Sequence, residues 1–140
     1  MCGKVEKYRV RSRKEMTVIK TAKIAPPNSQ VVIVDPKRRK IEVPQWQELA
    51  PFIATSSCIL VLCYPEVDGE TEIALGTVRE VDPGSKPIFD GHLLTPSKIL
   101  AIETVYGDAI LQIPTSDVQT KLRIWSDAIK WPTKIMVGIE

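Results

Sequence analysis

The chain of 140 residues has few of the residues on which catalytic and metal sites are usually built. It contains one histidine, His92, and three cysteines, so it offers no two-histidine metal site and no cysteine set with metal-ligand spacing. It also lacks a Gly-x-Ser-x-Gly nucleophile elbow and a glycine-rich phosphate loop. From these absences we expect a protein that is not an enzyme and that uses neither a metal nor a cofactor.

Long apolar runs are missing as well. The longest, residues 58–64, falls far short of the ~18–20 apolar residues that a membrane-spanning helix requires. No apolar stretch typical of a secretory signal follows the charged residues near the N-terminus. We therefore expect a cytoplasmic protein that does not cross a membrane.

The cysteines fit a reducing compartment, because their number is odd and the chain is long enough to fold without disulfides. Cys58 and Cys63 lie five residues apart in a segment that reads as a β-strand. An odd spacing places two side chains on opposite faces of a strand. We predict two buried thiols that neither pair nor share a metal.

What the sequence does contain is a regular succession of strand signals. Eleven prolines and seven glycines separate short segments rich in Val, Ile and Thr, and several segments alternate apolar and polar residues with period two. Besides a basic strand near residue 7, we predict strands near 16–24, 30–34, 58–65, 70–80, 87–94, 98–106, 108–113, 120–126 and 133–139. This pattern favours an all-β single domain over residues 1–140, an antiparallel β-sandwich or partly open barrel of about 8–10 short strands.

Turn chemistry adds three local predictions. Asp68-Gly69 is typical of a tight hairpin, which would join the strands at 58–65 and 70–80. Gly107 marks a close reversal between two later strands. Pro44 followed by apolar residues at helical spacing predicts at most one short helical turn near 44–50.

Charge is distributed unevenly along the chain. Residues 1–40 hold 12 of the 19 basic and 3 of the 17 acidic residues, a formal +9, whereas residues 41–140 hold 7 basic and 14 acidic residues, a formal −7. We expect the basic segment 1–40 to contribute edge strands to an acidic body, 41–140. Strand alternation gathers one set of cations on a face, and a predicted turn at Asp35-Pro36 carries a second set. The two sets are Lys7, Arg9, Arg11 and Arg13, and Lys37, Arg38, Arg39 and Lys40.

Two tryptophans complete the candidate binding residues. Alternation puts Trp125 on the same face as Lys121 and Arg123, where the stems of these cations shield the ring or the ring is exposed to a partner. Trp131 lies in the predicted loop between the last two strands.

These features favour a non-enzymatic protein-interaction module, either an inhibitor or immunity-type protein or a self-associating accessory protein. Nucleic-acid binding through residues 7–14 and 37–40 is the alternative, since each cation that contacts a phosphate releases a counterion. The same cations could instead pair with the acidic body, in the same chain or in a second copy. A weaker alternative is a small-ligand site in a barrel mouth near Asp90, His92 and residues 83–87.

Overall fold

Branched apolar residues at alternate positions build two β-sheets that pack face to face. The structure, a computed structural model, describes residues 4–10, 18–37, 41–45 and 50–140. Within these ranges the strands are β1 Lys4–Val10, β2 Val18–Ile24, β3 Gln30–Val34, β4 Phe52–Ala54, β5 Ile59–Leu62, β6 Thr71–Thr77, β7 Phe89–Leu94, β8 Ile99–Thr104, β9 Ala109–Pro114, β10 Gln119–Ser126 and β11 Lys134–Ile139. The predicted all-β single domain, a sandwich or partly open barrel, is confirmed. The described ranges hold eleven strands rather than the expected 8–10, and one pair of them is parallel rather than antiparallel.

The first sheet has the strand order β1-β2-β6-β11-β10-β7 and the second the order β4-β5-β3-β8-β9. In the described part of the chain β6 and β11 pair in parallel, with Glu72 opposite Lys134, and the other neighbours are antiparallel. The parallel pair brings the loops that precede β6 and β11 to the same end of the sandwich. Strand β1 lies at an edge, whereas β3 is the central strand of the second sheet, which corrects the expectation that residues 1–40 supply edge strands.

The core lies between the sheets and is built from the alternating apolar residues of both. Ile73 and Leu75 of β6 and Ile135 of β11 face Ile33 of β3 across it, and all four side chains are fully buried. Burying each such side chain stabilises the fold by roughly 1.5–3 kcal/mol.

The two cysteines of the predicted strand behave as their spacing indicated. Cys63 faces the main core, whereas Cys58 joins a separate apolar cluster with Val34 and Leu60. Both are buried free thiols, so the prediction of opposite faces is confirmed.

The predicted Asp68-Gly69 hairpin is wrong. Strands β5 and β6 belong to different sheets, and the turn between them, in which the Asp68 N–H donates to the Pro65 carbonyl (2.9 Å), carries the chain from one sheet to the other. Gly69 does not adopt the positive φ that the hairpin turn would need. The reversal at Gly107, with a φ of 88°, does close the β8–β9 hairpin as predicted.

The helical turn expected near 44–50 falls in part on residues 46–49, outside the described ranges. The described residues 41–45 and 50 are not helical, and the chain continues into β4, which pairs with β5. A short helix that the sequence did not predict, α1 Val78–Val81, follows β6 and packs on β11 at Gly138. None of the helices in the described part of the chain has the length and apolar character that a membrane crossing would require.

Candidate functional site

Two loops lie side by side at the end of the sandwich where the parallel strands β6 and β11 begin. The Glu72 N–H donates to the Thr133 carbonyl (2.9 Å), and the Thr71 hydroxyl donates to the Pro132 carbonyl (3.3 Å). These bonds join the segment before β6 to the segment before β11. We call the surface formed by residues 65–70 and 127–133 the acidic end.

Asp127 fixes the second of these loops. Its carboxylate accepts hydrogen bonds from the N–H of Thr133 (2.9 Å), the N–H of Lys134 (3.1 Å) and the Thr133 hydroxyl (2.6 Å). Hydrogen bonds to an ionised acceptor are roughly twice as strong as neutral ones. The five residues between Asp127 and Thr133 are therefore closed into a loop with a defined shape.

The first loop is tied to the start of β3. The Asn28 N–H donates to Oε1 of Glu66 (2.8 Å), and the Glu66 N–H donates to the Ser29 hydroxyl (3.0 Å). Within the loop, the N–H groups of Asp68 and Gly69 both donate to the Pro65 carbonyl. Both loops are thus held to the sandwich by hydrogen bonds.

Between these anchor points the acidic end exposes large apolar side chains. Val67 is 89% exposed, Ile129 69% and Trp131 46%. Trp131 also has a φ of 58°, in the left-handed region that a bulky residue adopts only at a cost, and Nζ of Lys130 lies 5.9 Å from the centroid of its ring. Exposed aromatic anchors of this kind dominate the energetics of many protein interfaces.

The same two loops carry four carboxylates and one lysine. They belong to Glu66, Asp68, Glu70 and Asp127, all on exposed residues, and the single cation in the two loops is Lys130. Exposed apolar residues among mostly acidic side chains are suited to a partner surface that is mostly basic.

Of the predicted binding residues, Trp131 lies in the acidic end and Trp125 does not. Trp125 is 1% exposed, and its indole N–H donates to the Ser85 carbonyl (2.9 Å). The segment after α1 lies against the ring on the outer face of the first sheet. Trp125 is therefore a packed residue, and the interpretation of its ring as a partner contact is wrong.

The two cations beside Trp125 are engaged with carboxylates. Arg123 lies 3.3 Å from Asp90 and 3.3 Å from Glu140, and Lys121 lies 3.9 Å from Glu140. These groups are partly exposed, so the ion pairs stabilise the fold little, but they do neutralise the face that the sequence pattern made basic.

The ligand site expected near Asp90 and His92 is contradicted by the packing beside it. His92 is exposed on β7, and the interior next to that strand is filled by Leu93, Leu122 and Ile124, each with 0% exposure. A barrel mouth at this position would need a cavity where these side chains lie.

The described ranges include three of the predicted basic residues, two in β1 and one after β3. Lys7 and Arg9 belong to β1, where the pairing register shifts between Glu6 and Arg9 and interrupts strict alternation. Lys37 is exposed and follows the last residue of β3, whereas the acidic end lies beside the first residue of β3. The length of β3, roughly 17 Å, separates the two. Among the described residues Lys37 has no ion-pair partner. The remaining predicted cations, Arg11, Arg13, Arg38, Arg39 and Lys40, lie outside the described residues.

The turn that positions Lys37 is fixed by Asp35. Its buried carboxylate accepts hydrogen bonds from the Lys37 N–H (2.8 Å) and from the N–H (2.7 Å) and hydroxyl (2.5 Å) of Ser97. The turn predicted at Asp35-Pro36 is therefore present and is held to the loop before β8.

Sequence reasoning missed Val67 and Ile129. Each is a single apolar residue inside a charged loop, flanked by Glu66 and Asp68 in one case and close to Asp127 and Lys130 in the other. An isolated apolar residue is common on protein surfaces. Only the parallel pairing of β6 and β11 shows that the two loops share one end.

Comparison with solved structures finds a similar fold. No protein-family model and no curated protein matches the chain. The structure is similar to that of ComJ from Bacillus subtilis, which is described as the inhibitor of the DNA degrading activity of NucA. The TM-score is 0.62 at 12% sequence identity, and the match covers 89% of this chain and 97% of the ComJ chain. At this identity the likeness establishes a shared fold.

Proposed function

We propose that this chain is a non-enzymatic protein-interaction module of the inhibitor type, whose acidic end covers a basic surface of a partner protein. The observation that carries the proposal is the acidic end itself, where Trp131, Ile129 and Val67 are exposed among four carboxylates. A tryptophan held in a strained, solvent-exposed conformation has a cost that contact with a partner offsets.

The fold supports the same proposal. ComJ, which shares the fold along nearly its whole length, is described as an inhibitor of a DNA-degrading activity. A protein that binds DNA needs a basic surface to contact the phosphates. An acidic end that docks on such a surface would compete with DNA for it, and long-range attraction between the two charges would speed the encounter.

The test is the degradation of plasmid DNA by an extract of the organism that encodes the chain, with increasing amounts of the purified protein. We expect degradation to fall with added wild-type protein, and Trp131→Ala to raise the half-inhibitory concentration by at least about tenfold, as expected when an interface anchor is removed. Val118→Ala is the matched control, since Val118 is 50% exposed at the opposite end of the sandwich and should leave inhibition unchanged.

A gel-shift assay with the same plasmid separates this proposal from nucleic-acid binding through the basic residues. If the chain itself retards DNA at low salt and Trp131→Ala changes nothing, the cations rather than the acidic end carry the function. If neither protein affects degradation, the inhibitor proposal fails. Light scattering of the purified chain reports whether it is also a homo-oligomer.

A further inference from the structure

A groove crosses the outer face of the second sheet, away from the core. Its floor is apolar and consists of Val32, Val34 and Leu60, and Ile41 and Val43 form one wall. The groove has a volume of about 370 Å³. The wall is held in place because the Glu42 N–H donates to the Ser57 hydroxyl (2.8 Å) and the Thr55 hydroxyl donates to the Glu42 carbonyl (2.5 Å).

Two hydrogen-bond acceptors that line the groove have no hydrogen-bond donor among the described residues. Oε1 of Gln30 is buried and has no hydrogen-bond partner among the described residues. Glu103 is half-buried, and no hydrogen bond or ion pair joins its carboxylate to another described residue. Burial raises the pKa of Glu103 because the charged form loses water. Both groups line the groove.

The register of the sheet places these acceptors near each other. Val32 of β3 lies directly opposite Glu103 of β8, and Gln30 is two residues before Val32 on the same face. Diagonal neighbours of this kind have Cα atoms roughly 7–8 Å apart, within reach of long side chains. A planar donor group with several N–H bonds can contact both acceptors at once, and a guanidinium has five such bonds in a fixed fork.

We propose that this groove binds an arginine side chain of a protein partner, with the methylene stem on Val32 and Leu60 and the guanidinium at Glu103 and Oε1 of Gln30. The assignment of a protein partner rests on the function proposed above. The carboxylate of Glu103 complements the charge of an arginine. The groove is also continuous with the acidic end, since Asn28 lines the groove and its N–H donates to Glu66 of the acidic end. A basic protein docked on the acidic end would extend directly into the groove.

The experiment is a titration of the full-length, isotope-labelled chain, followed by amide NMR, with the blocked tripeptide acetyl-Leu-Arg-Leu-amide. We expect shift changes centred on Val32, Leu60 and Glu103. Glu103→Gln keeps the shape and removes the charge, and should weaken binding by about tenfold or more, since charge-assisted bonds are the strong ones. Gln30→Met should weaken it less, by roughly threefold to tenfold, because it removes a neutral acceptor.

Glu42→Gln is the matched control, because Glu42 is an exposed carboxylate beside the groove that does not line it. It should bind the peptide as the wild type does, and all three variants should unfold at or near the wild-type temperature. The proposal is overturned if acetyl-Leu-Gln-Leu-amide binds as well as the arginine peptide, if Glu103→Gln binds unchanged, or if the groove residues do not shift. Peptide binding in the groove together with no effect of the wild-type chain on DNA degradation would refute the proposed function and leave the arginine site standing.

Discussion

The left-handed backbone of Trp131 leads to a prediction in which the usual order of two substitutions is reversed. Replacing the tryptophan by Ala or by Gly removes nearly the same side-chain contacts, so the two variants differ mainly in the backbone. At a φ of 58°, alanine is strained in the folded state by ~1–2 kcal/mol and glycine is not. Glycine in turn loses ~0.5–1 kcal/mol more conformational entropy than alanine when the chain folds. We therefore expect Trp131→Gly to be more stable than Trp131→Ala by roughly 0.5–1 kcal/mol.

Ile129 supplies the control for this comparison. It is in the same loop, is 69% exposed and does not have a positive φ. There Ile129→Ala should be more stable than Ile129→Gly by ~0.5–1 kcal/mol, the ordinary order. Urea unfolding followed by circular dichroism measures all four variants. If Ala is also the more stable residue at position 131, the loop relaxes to an ordinary φ and Trp131 is not held in a strained conformation.

Two further predictions concern packing and thiol chemistry. In Gly138→Ala the new Cβ would lie 2.8 Å from a backbone carbon of α1, so thermal unfolding should show that the free energy of unfolding falls by roughly 1–3 kcal/mol. The control Gly69→Ala, whose new Cβ has its nearest atom at 3.4 Å, should leave stability nearly unchanged. Equal melting temperatures for the two variants would show that α1 is not packed against β11. Burial raises the pKa of Cys58 to about 11 and that of Cys63 to about 12, and the negative charge of Glu103 adds to the shift at Cys58. At pH 8 both thiols should therefore react with iodoacetamide at least about 100-fold more slowly than in the unfolded chain, because the thiolate is the reacting form. Mass spectrometry of each cysteine peptide measures the two rates. Comparable rates in the folded and unfolded chain would contradict the burial of the thiols.

Strand positions could be predicted from the sequence because they depend on local alternation. The segments at 120–126 and 133–139 correspond closely to β10 and β11, whose inward residues are the apolar ones. Strand pairing could not be predicted in the same way. Asp68-Gly69 has the residues of a hairpin turn, yet the strands on either side of it enter different sheets, and turn residues carry no information on which strands pair.

The candidate site shows the same limit. Alternation correctly separates Trp125 from Leu122 and Ile124, but no local pattern reveals that the segment carrying Ser85 covers the ring. The exposure of Trp131 follows from its position in a loop. The partnership of this loop with residues 65–70 follows only from the parallel pairing of β6 and β11.

In the fold, Lys37 and the acidic loops lie at opposite ends of β3. The acidic loops lie at the end where β3 begins, and Lys37 lies at the end where it stops. Charges of opposite sign at this distance, roughly two Debye lengths at physiological salt, are largely screened from one another. Lys37 therefore contributes little to neutralising the acidic end. The lysines nearer to it are Lys130 within the loop and Lys23 and Lys134, each opposite Glu72.

We propose that the acidic end is the surface that meets the partner. Site-specific photo-crosslinking tests it most directly, with p-benzoylphenylalanine placed at position 129 in the acidic end or at position 118 at the opposite end, both exposed. In the extract used for the degradation assay, position 129 should crosslink to a basic protein and position 118 should not. A crosslink from position 118 and none from position 129 would contradict the account.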